Sequence, residues 1–192
     1  MVLKYRITLK DIKGFFRVYY VNAQTTLYHF HKQMRSDLEF PQDQLIMFKG
    51  LDAEDGVVGR YGLFDLGSGT VDTVTLGQCW KDGVVSFIYF YDVTNKKSVI
   101  VTCEGEVEGR SVPPEFPLLV ESKGPVPLEF ENGYVAYEDL PDEQRHLPGE
   151  RKAGFDFGDD DDEDDDEDFE DEEEEADDDE DGQEIYDESE GI

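Results

Sequence analysis

Soft metal ligands are scarce here: three histidines and two cysteines in 192 residues. Cys79 and Cys103 follow no disulfide or metal-site spacing, so a cysteine-stapled scaffold is excluded and two reduced, small buried hydrophobes are expected. His29 and His31 stand two apart on a helical stretch, about 200° around its axis, and so cannot chelate one ion. Long apolar runs are missing too. No segment approaches the ~20 apolar residues of a membrane span, and MVLKYRITLKDIK alternates polar and apolar residues where a signal peptide would be continuously apolar. A cytoplasmic protein without membrane contact is expected.

Catalytic motifs are equally thin. Asp65-Leu66-Gly67-Ser68-Gly69 superficially suggests an aspartic-protease loop, but Leu66 cannot supply the hydroxyl that such an Asp requires. A phosphate-binding loop needs Lys-Ser/Thr after its last glycine, and here Thr70-Val71 follows Gly69. A glycine-rich surface turn accounts for the stretch. No Ser/His/Asp or Cys/His arrangement can be singled out. The chain reads as a non-enzyme with no catalytic residue, cofactor or metal site.

Basic residues vanish after Lys152. Of the 49 acidic residues, 26 fall between Asp156 and Ile192, leaving 23 against 17 basic ones in residues 1–155. The net charge of −32 is thus concentrated in a tail attached to an ordinary, mildly acidic body. A body of that size buries roughly 68–70% of its unfolded surface, enough for a core of its own. The expected division is an α+β domain over 1–154, its last part (108–154) a loop-rich wrap, followed by an acidic tail over 155–192. That tail has almost nothing apolar to bury and repels itself, so disorder is expected.

The body is organised around residues 15–48. Leu27, Phe30, His31, Met34 and Leu38 recur at helical spacing and predict a helix over 27–39 with one apolar stripe. Thr25 or Thr26 is placed to cap it, and Pro41 stops it. Before the helix, Lys4–Lys10 and Phe15–Val21 read as a hairpin, with Gly14 free to take positive φ. Leu45–Phe48 reads as a third strand, residues 49–70 as a glycine-bearing loop region with a short strand or helical turn, and Thr75–Trp80 as a helical turn. Val84–Asp92 is apolar on both faces and reads as a central strand, with Ser98–Val107 as its hairpin partner. Seven prolines mark the wrap, for which Leu118, Leu119, Val120, Leu128, Phe130, Tyr134 and Tyr137 are the expected anchors. A helical turn is expected near Glu138–Gln144. The fold class is therefore α+β: a mostly antiparallel sheet packed on one main helix.

YRITLKDIKGFFRVYYV, the TLYHFH helix start, QLIMFKG, SFIYFYDV and PVPLEFENGYVAYEDL, in that order over about residues 4–140, resemble the plasmid open-reading-frame-three-like domain family, a transposon-passenger type. The resemblance implies an α+β fold without established enzymatic activity, common in bacterial and mobile-element proteins. The family pattern places an acidic-glycine turn, a Trp and a His after the aromatic strand, where this chain has Val93-Thr94-Asn95-Lys96-Lys97. Leu128 and Asn132-Gly133 likewise replace the family's second proline and paired glycine in the late segment. A ligand site built on those polar positions would be mostly lost here, while His31 remains in the matching helix position.

Two uses of the tail follow from its charge. A single-sign field of this density steers a cationic partner, more strongly at salt below physiological, where the Debye length exceeds ~8 Å. Phe157, Phe169 and Tyr186 are candidate contacts to a basic surface of a nucleic-acid-handling protein. Alternatively, Lys4, Arg6, Lys10, Lys13, Arg17, Lys32 and Arg35 form a basic patch for DNA that the tail covers in an autoinhibited accessory factor. Calcium by an EF-hand is excluded, since no loop combines the central glycine with the spaced terminal Glu.

Overall fold

The computed structural model describes residues 1–145; the acidic tail, the domain boundary near residue 154, and Phe157, Phe169 and Tyr186 lie outside the described residues. The elements run β1 Val2–Leu9, β2 Ile12–Asn22, α1 Leu27–Asp37, β3 Met47–Leu51, β4 Val57–Gly62, α2 Leu76–Lys81, β5 Ser86–Asp92, β6 Lys97–Glu106, β7 Leu118–Lys123 and α3 Pro127–Glu131. Single 3-10 turns follow at Tyr137–Asp139 and Asp142–Gln144. The strands form one seven-stranded sheet in the order β4-β3-β5-β6-β1-β2-β7, every pairing antiparallel. The fold is α+β.

Strand alternation separates the two faces of this sheet. Register aligns Tyr5 with Tyr19 and Cys103, and Phe48 with Tyr61 and Tyr89. Those residues, with Leu3, Ile7, Phe15, Phe87, Tyr91, Val99 and Val101, make the covered face and the core. Helix α1 and its C-cap close it through Leu27, Phe30, Met34 and Leu38, part of the apolar stripe expected from the sequence. Phe30 meets Tyr5 at 5.5 Å and Tyr19 edge-on at 5.6 Å, and Phe40 stacks on Tyr91 at 3.9 Å. Such aromatic pairs add about 0.5–1.5 kcal/mol each beyond area burial.

Local signals explain most element ends. Thr26 is the cap of α1, its hydroxyl accepting from the His29 amide, and Thr75 with Gln78 forms a capping box on α2. The helix stops at Asp37, two residues short of the expected end. The hairpin turn differs from expectation: Asp11, at φ 61°, takes the left-handed position that was assigned to Gly14. Gly14 lies within β2, and its hydrogen is required for another reason. A Cβ there would sit 2.1 Å from the Ala136 Cβ, so glycine permits the wrap to seat against the strand. The third strand begins two residues later than expected, at Met47. Of the short strand or helical turn expected within residues 49–70, the fold forms the strand, the edge strand β4. Val84–Asp92 supplies β5, an interior strand, although β6 occupies the middle of the sheet.

The wrap holds more structure than expected. It contributes the edge strand β7 and the short helix α3, whose Pro127 stands at the first helical turn, where no backbone donor is needed. Of its expected anchors, only Leu119 and Phe130 pack on the core; Leu118, Val120, Leu128, Tyr134 and Tyr137 are exposed. Val112, Pro117, Pro127 and Ala136 are the buried ones. Backbone demands explain the difference. β7 is an edge strand whose residues alternate toward solvent, and the carboxylate of Asp139, accepting from the Lys13 and Gly14 amides at 2.7 and 2.9 Å, fixes the wrap where apolar periodicity cannot.

Candidate functional site

Seven basic side chains formed the expected patch, and the fold scatters them. Lys4 and Arg6 project from the sheet face opposite α1, and both pair with Glu104; Lys4 Nζ lies 2.7 Å from its carboxylate. The Arg6 guanidinium also lies over the Phe16 ring at 4.7 Å. Arg17 points the other way and is only 6% exposed. Its guanidinium donates to the carbonyls of Phe16, Lys123, Gly124 and Pro125, at 2.6–3.2 Å, and binds the end of β7 to β2. A buried cation satisfied by four carbonyls cannot also meet phosphate. Lys10 and Lys13 lie exposed at the β1–β2 hairpin end. Lys32 and Arg35 belong to α1. One patch of seven does not exist; Arg17 is structural, and only Lys32 and Arg35 share a cavity.

That cavity, about 580 Å³, runs between α1 and the chain from Gln42 to Ile46 and is lined by Tyr28, His31, Lys32, Arg35, Ser36 and Asp43, among others. His31, 3% exposed, reaches it from the apolar stripe of α1. Its Nδ1 lies 2.6 Å from the Tyr89 hydroxyl. Tyr89 is fully buried, and its hydroxyl has no other partner among the described residues. Donation of the phenol proton to Nδ1 is the arrangement that leaves neither buried group unsatisfied, and in it the imidazole proton sits on Nε2. Burial first, and then the nearby Arg35 and Lys32 charges, hold the His31 pKa down at about 4, so the ring is neutral at physiological pH.

Arg35 holds the far wall in place: its guanidinium donates to the Gln42 carbonyl at 2.6 Å and to the Gln44 carbonyl at 3.3 Å. Its Nε is buried without a partner among the described residues. Lys32 Nζ lies 5.9 Å from the centroid of the Tyr28 ring. Neither cation is ion-paired among the described residues, in contrast to Lys4, Arg6, Lys97, Lys123 and Arg145. Asp43 is the one carboxylate lining the cavity, where it accepts from Gln44 Nε2 at 3.2 Å.

The expectations for the other chemistry-bearing residues are met in part. His31 is the core-edge histidine with one nitrogen satisfied. His29 is half-buried and bonded to the Thr26 hydroxyl at 3.0 Å. Cys79 is buried and free, its thiol pushed up to about 11 chiefly by desolvation, and Cys103 is half-buried and free. In the glycine-rich turn, Asp65 accepts from the amides of Gly67 and Gly69 at 2.7 and 3.0 Å, a self-contained loop closure. Among the described residues no three His, Cys, Asp or Glu side chains converge as metal ligands, and no helix is long and apolar enough to cross a membrane. Sequence reasoning missed Tyr89, Gln42 and Gln44 as cavity-shaping residues. A histidine at an apolar helical position was the one signal pointing there.

No family model matches the chain, and no curated protein matches it either. Among solved structures, a crystal structure of a protein of unknown function from Methanosarcina mazei Go1 is similar in fold, with a TM-score of 0.51 and 17% sequence identity over 65% of this chain and 70% of that one. The likeness concerns the fold alone.

Proposed function

We propose that the chain is a non-enzymatic interaction protein in which the α+β body carries a polyacidic segment that engages the basic surface of a nucleic-acid-handling partner. The carrying observation is charge segregation: 26 acidic residues and no Lys or Arg between Asp156 and Ile192. The body adds support. Lys4, Arg6, Lys97, Lys123 and Arg145 already face carboxylates of the body, and Arg17 is committed to carbonyls. With Lys4 and Arg6 ion-paired and Arg17 committed to carbonyls, the body offers no single patch of the seven basic residues for a tethered polyanion to cover, which favours an external basic partner over autoinhibition. Phe157, Phe169 and Tyr186 are the proposed anchors, and a bacterial or mobile-element setting is part of the same proposal, resting on the resemblance to the plasmid open-reading-frame-three-like family.

Comparison of the full chain with a truncation after residue 157 tests this reading. A basic protein such as a nucleoid component is expected to be captured by the full chain and not by the truncation, with capture fading as salt rises. DNA retention by the truncation alone, at low salt, would overturn it in favour of a DNA-binding accessory factor silenced by its tail.

A further inference from the structure

We infer that the cavity beside α1 binds a small amphipathic oxyanion, a phosphate monoester or carboxylate with an aliphatic chain, its head held by His31, Lys32 and Arg35. This inference does not depend on the function proposed for the acidic segment. Three features converge. The Nε2 proton of His31, the Lys32 ammonium and the Arg35 guanidinium are donors lining one space, and charge-assisted donors of this kind select an anion. Among the described residues Asp43 is one carboxylate against two cations, so their balance of charge in the cavity is positive.

The second feature is what lies next door. An apolar cavity of about 260 Å³, lined by Leu45, Ile46, Met47, Leu63, Phe64 and Leu66 among others, shares Leu45, Ile46 and Leu63 with the first. Phe64 there is 76% exposed, an unusual position for a phenylalanine with no surface to cover. Polar and apolar compartments joined in this way fit one ligand with a charged head and an aliphatic body better than two separate ligands.

The third is preorganisation. Tyr89 fixes the His31 ring from inside the core, and Arg35 ties α1 to the Gln42 and Gln44 carbonyls, so the donors stand in place before a ligand arrives. Burial is the main cause that depresses protonation of His31 and the Arg35 and Lys32 charges add to it; an anion at Nε2 offsets that added field, which supplies a signal local to the site.

The test is a titration of the full chain with octyl phosphate, following the His31 imidazole resonances by NMR and the affinity by calorimetry. Octyl phosphate is expected to shift the His31 signals and to raise its pKa. Inorganic phosphate is expected to act on the same signals about tenfold or more weakly, for want of the apolar half. Lys32→Gln and Leu63→Ser alter exposed side chains and should fold normally; each is expected to weaken octyl phosphate by roughly tenfold. Affinity unchanged in both variants would overturn the assignment. So would octyltrimethylammonium shifting His31 as octyl phosphate does, which would mark a surfactant response without anion recognition. Equal affinity for inorganic and octyl phosphate would overturn the amphipathic ligand.

Discussion

The two faces of the seven-stranded sheet obey different rules. On the covered face, Leu3, Tyr5, Ile7, Tyr19, Phe48, Phe87, Tyr89 and Val101 are buried under α1 and its flanking segments. On the opposite face, Lys4, Arg6, Phe16, Tyr20, Lys49, Ile88, Phe90 and Ile100 are half-buried, and the contacts are ion pairs, a cation over an aromatic ring and the seat for Ala136. Stability should therefore be concentrated on one side, leaving the other free to vary. The difference teaches where chemistry can be carried: the α1 cavity lies at the rim of the covered face, supported by its rigidity while open to solvent.

Mutation can break this comparison, beginning with its strongest member. Phe30→Ala should cost about 3–5 kcal/mol, because its ring meets both Tyr5 and Tyr19; urea denaturation measures it, and a loss below 1 kcal/mol would deny the covered face its role. Acid comes next. His31 has a folded pKa of about 4 against an ordinary value near 6.5, so between those values the unfolded chain binds the extra proton. Stability should accordingly fall as pH drops through that window, by roughly 3 kcal/mol at most, and His31→Asn should remove that part of the slope. On the opposite face, Gly14→Val should cost about 1–3 kcal/mol, since a side chain there collides with Ala136. It should also increase protease cleavage in the wrap before the core unfolds. Smallest of all, Glu104→Gln removes the partner of Lys4 and Arg6, whose side chains are about a third exposed, and should change stability by about 1 kcal/mol or less.

Legibility in the sequence followed the same division. Periodicity exposed α1, β1, β2, β5 and β6, because burial on one face writes itself as spacing in Leu27, Phe30, Met34 and Leu38 or as alternation in Tyr5, Ile7 and Leu9. Of the edge strands, β7 escaped notice and β4 was legible only as a short strand or helical turn without bounds: Val57-Val58-Gly59-Arg60 and Leu118–Lys123 have one neighbour each and too few buried residues to leave a pattern. Arg17 shows the limit for charge. Its position between Phe16 and Val18 said nothing of the four carbonyls it meets, three of them more than a hundred residues away in the chain. The cavity was half legible: His31 was a histidine on an apolar stripe, but its partner Tyr89 and the Gln42 and Gln44 carbonyls are set by tertiary packing.

The manner in which β7 ends the sheet carries a consequence for life at high concentration. Its pairing with β2 slips between Val18 and Tyr19, and Glu121 and Lys123 stand beyond the slip with opposite charges. A bent, doubly charged margin is a poor template for another chain's backbone. Copies of the chain therefore have little to gain from pairing with one another along this edge.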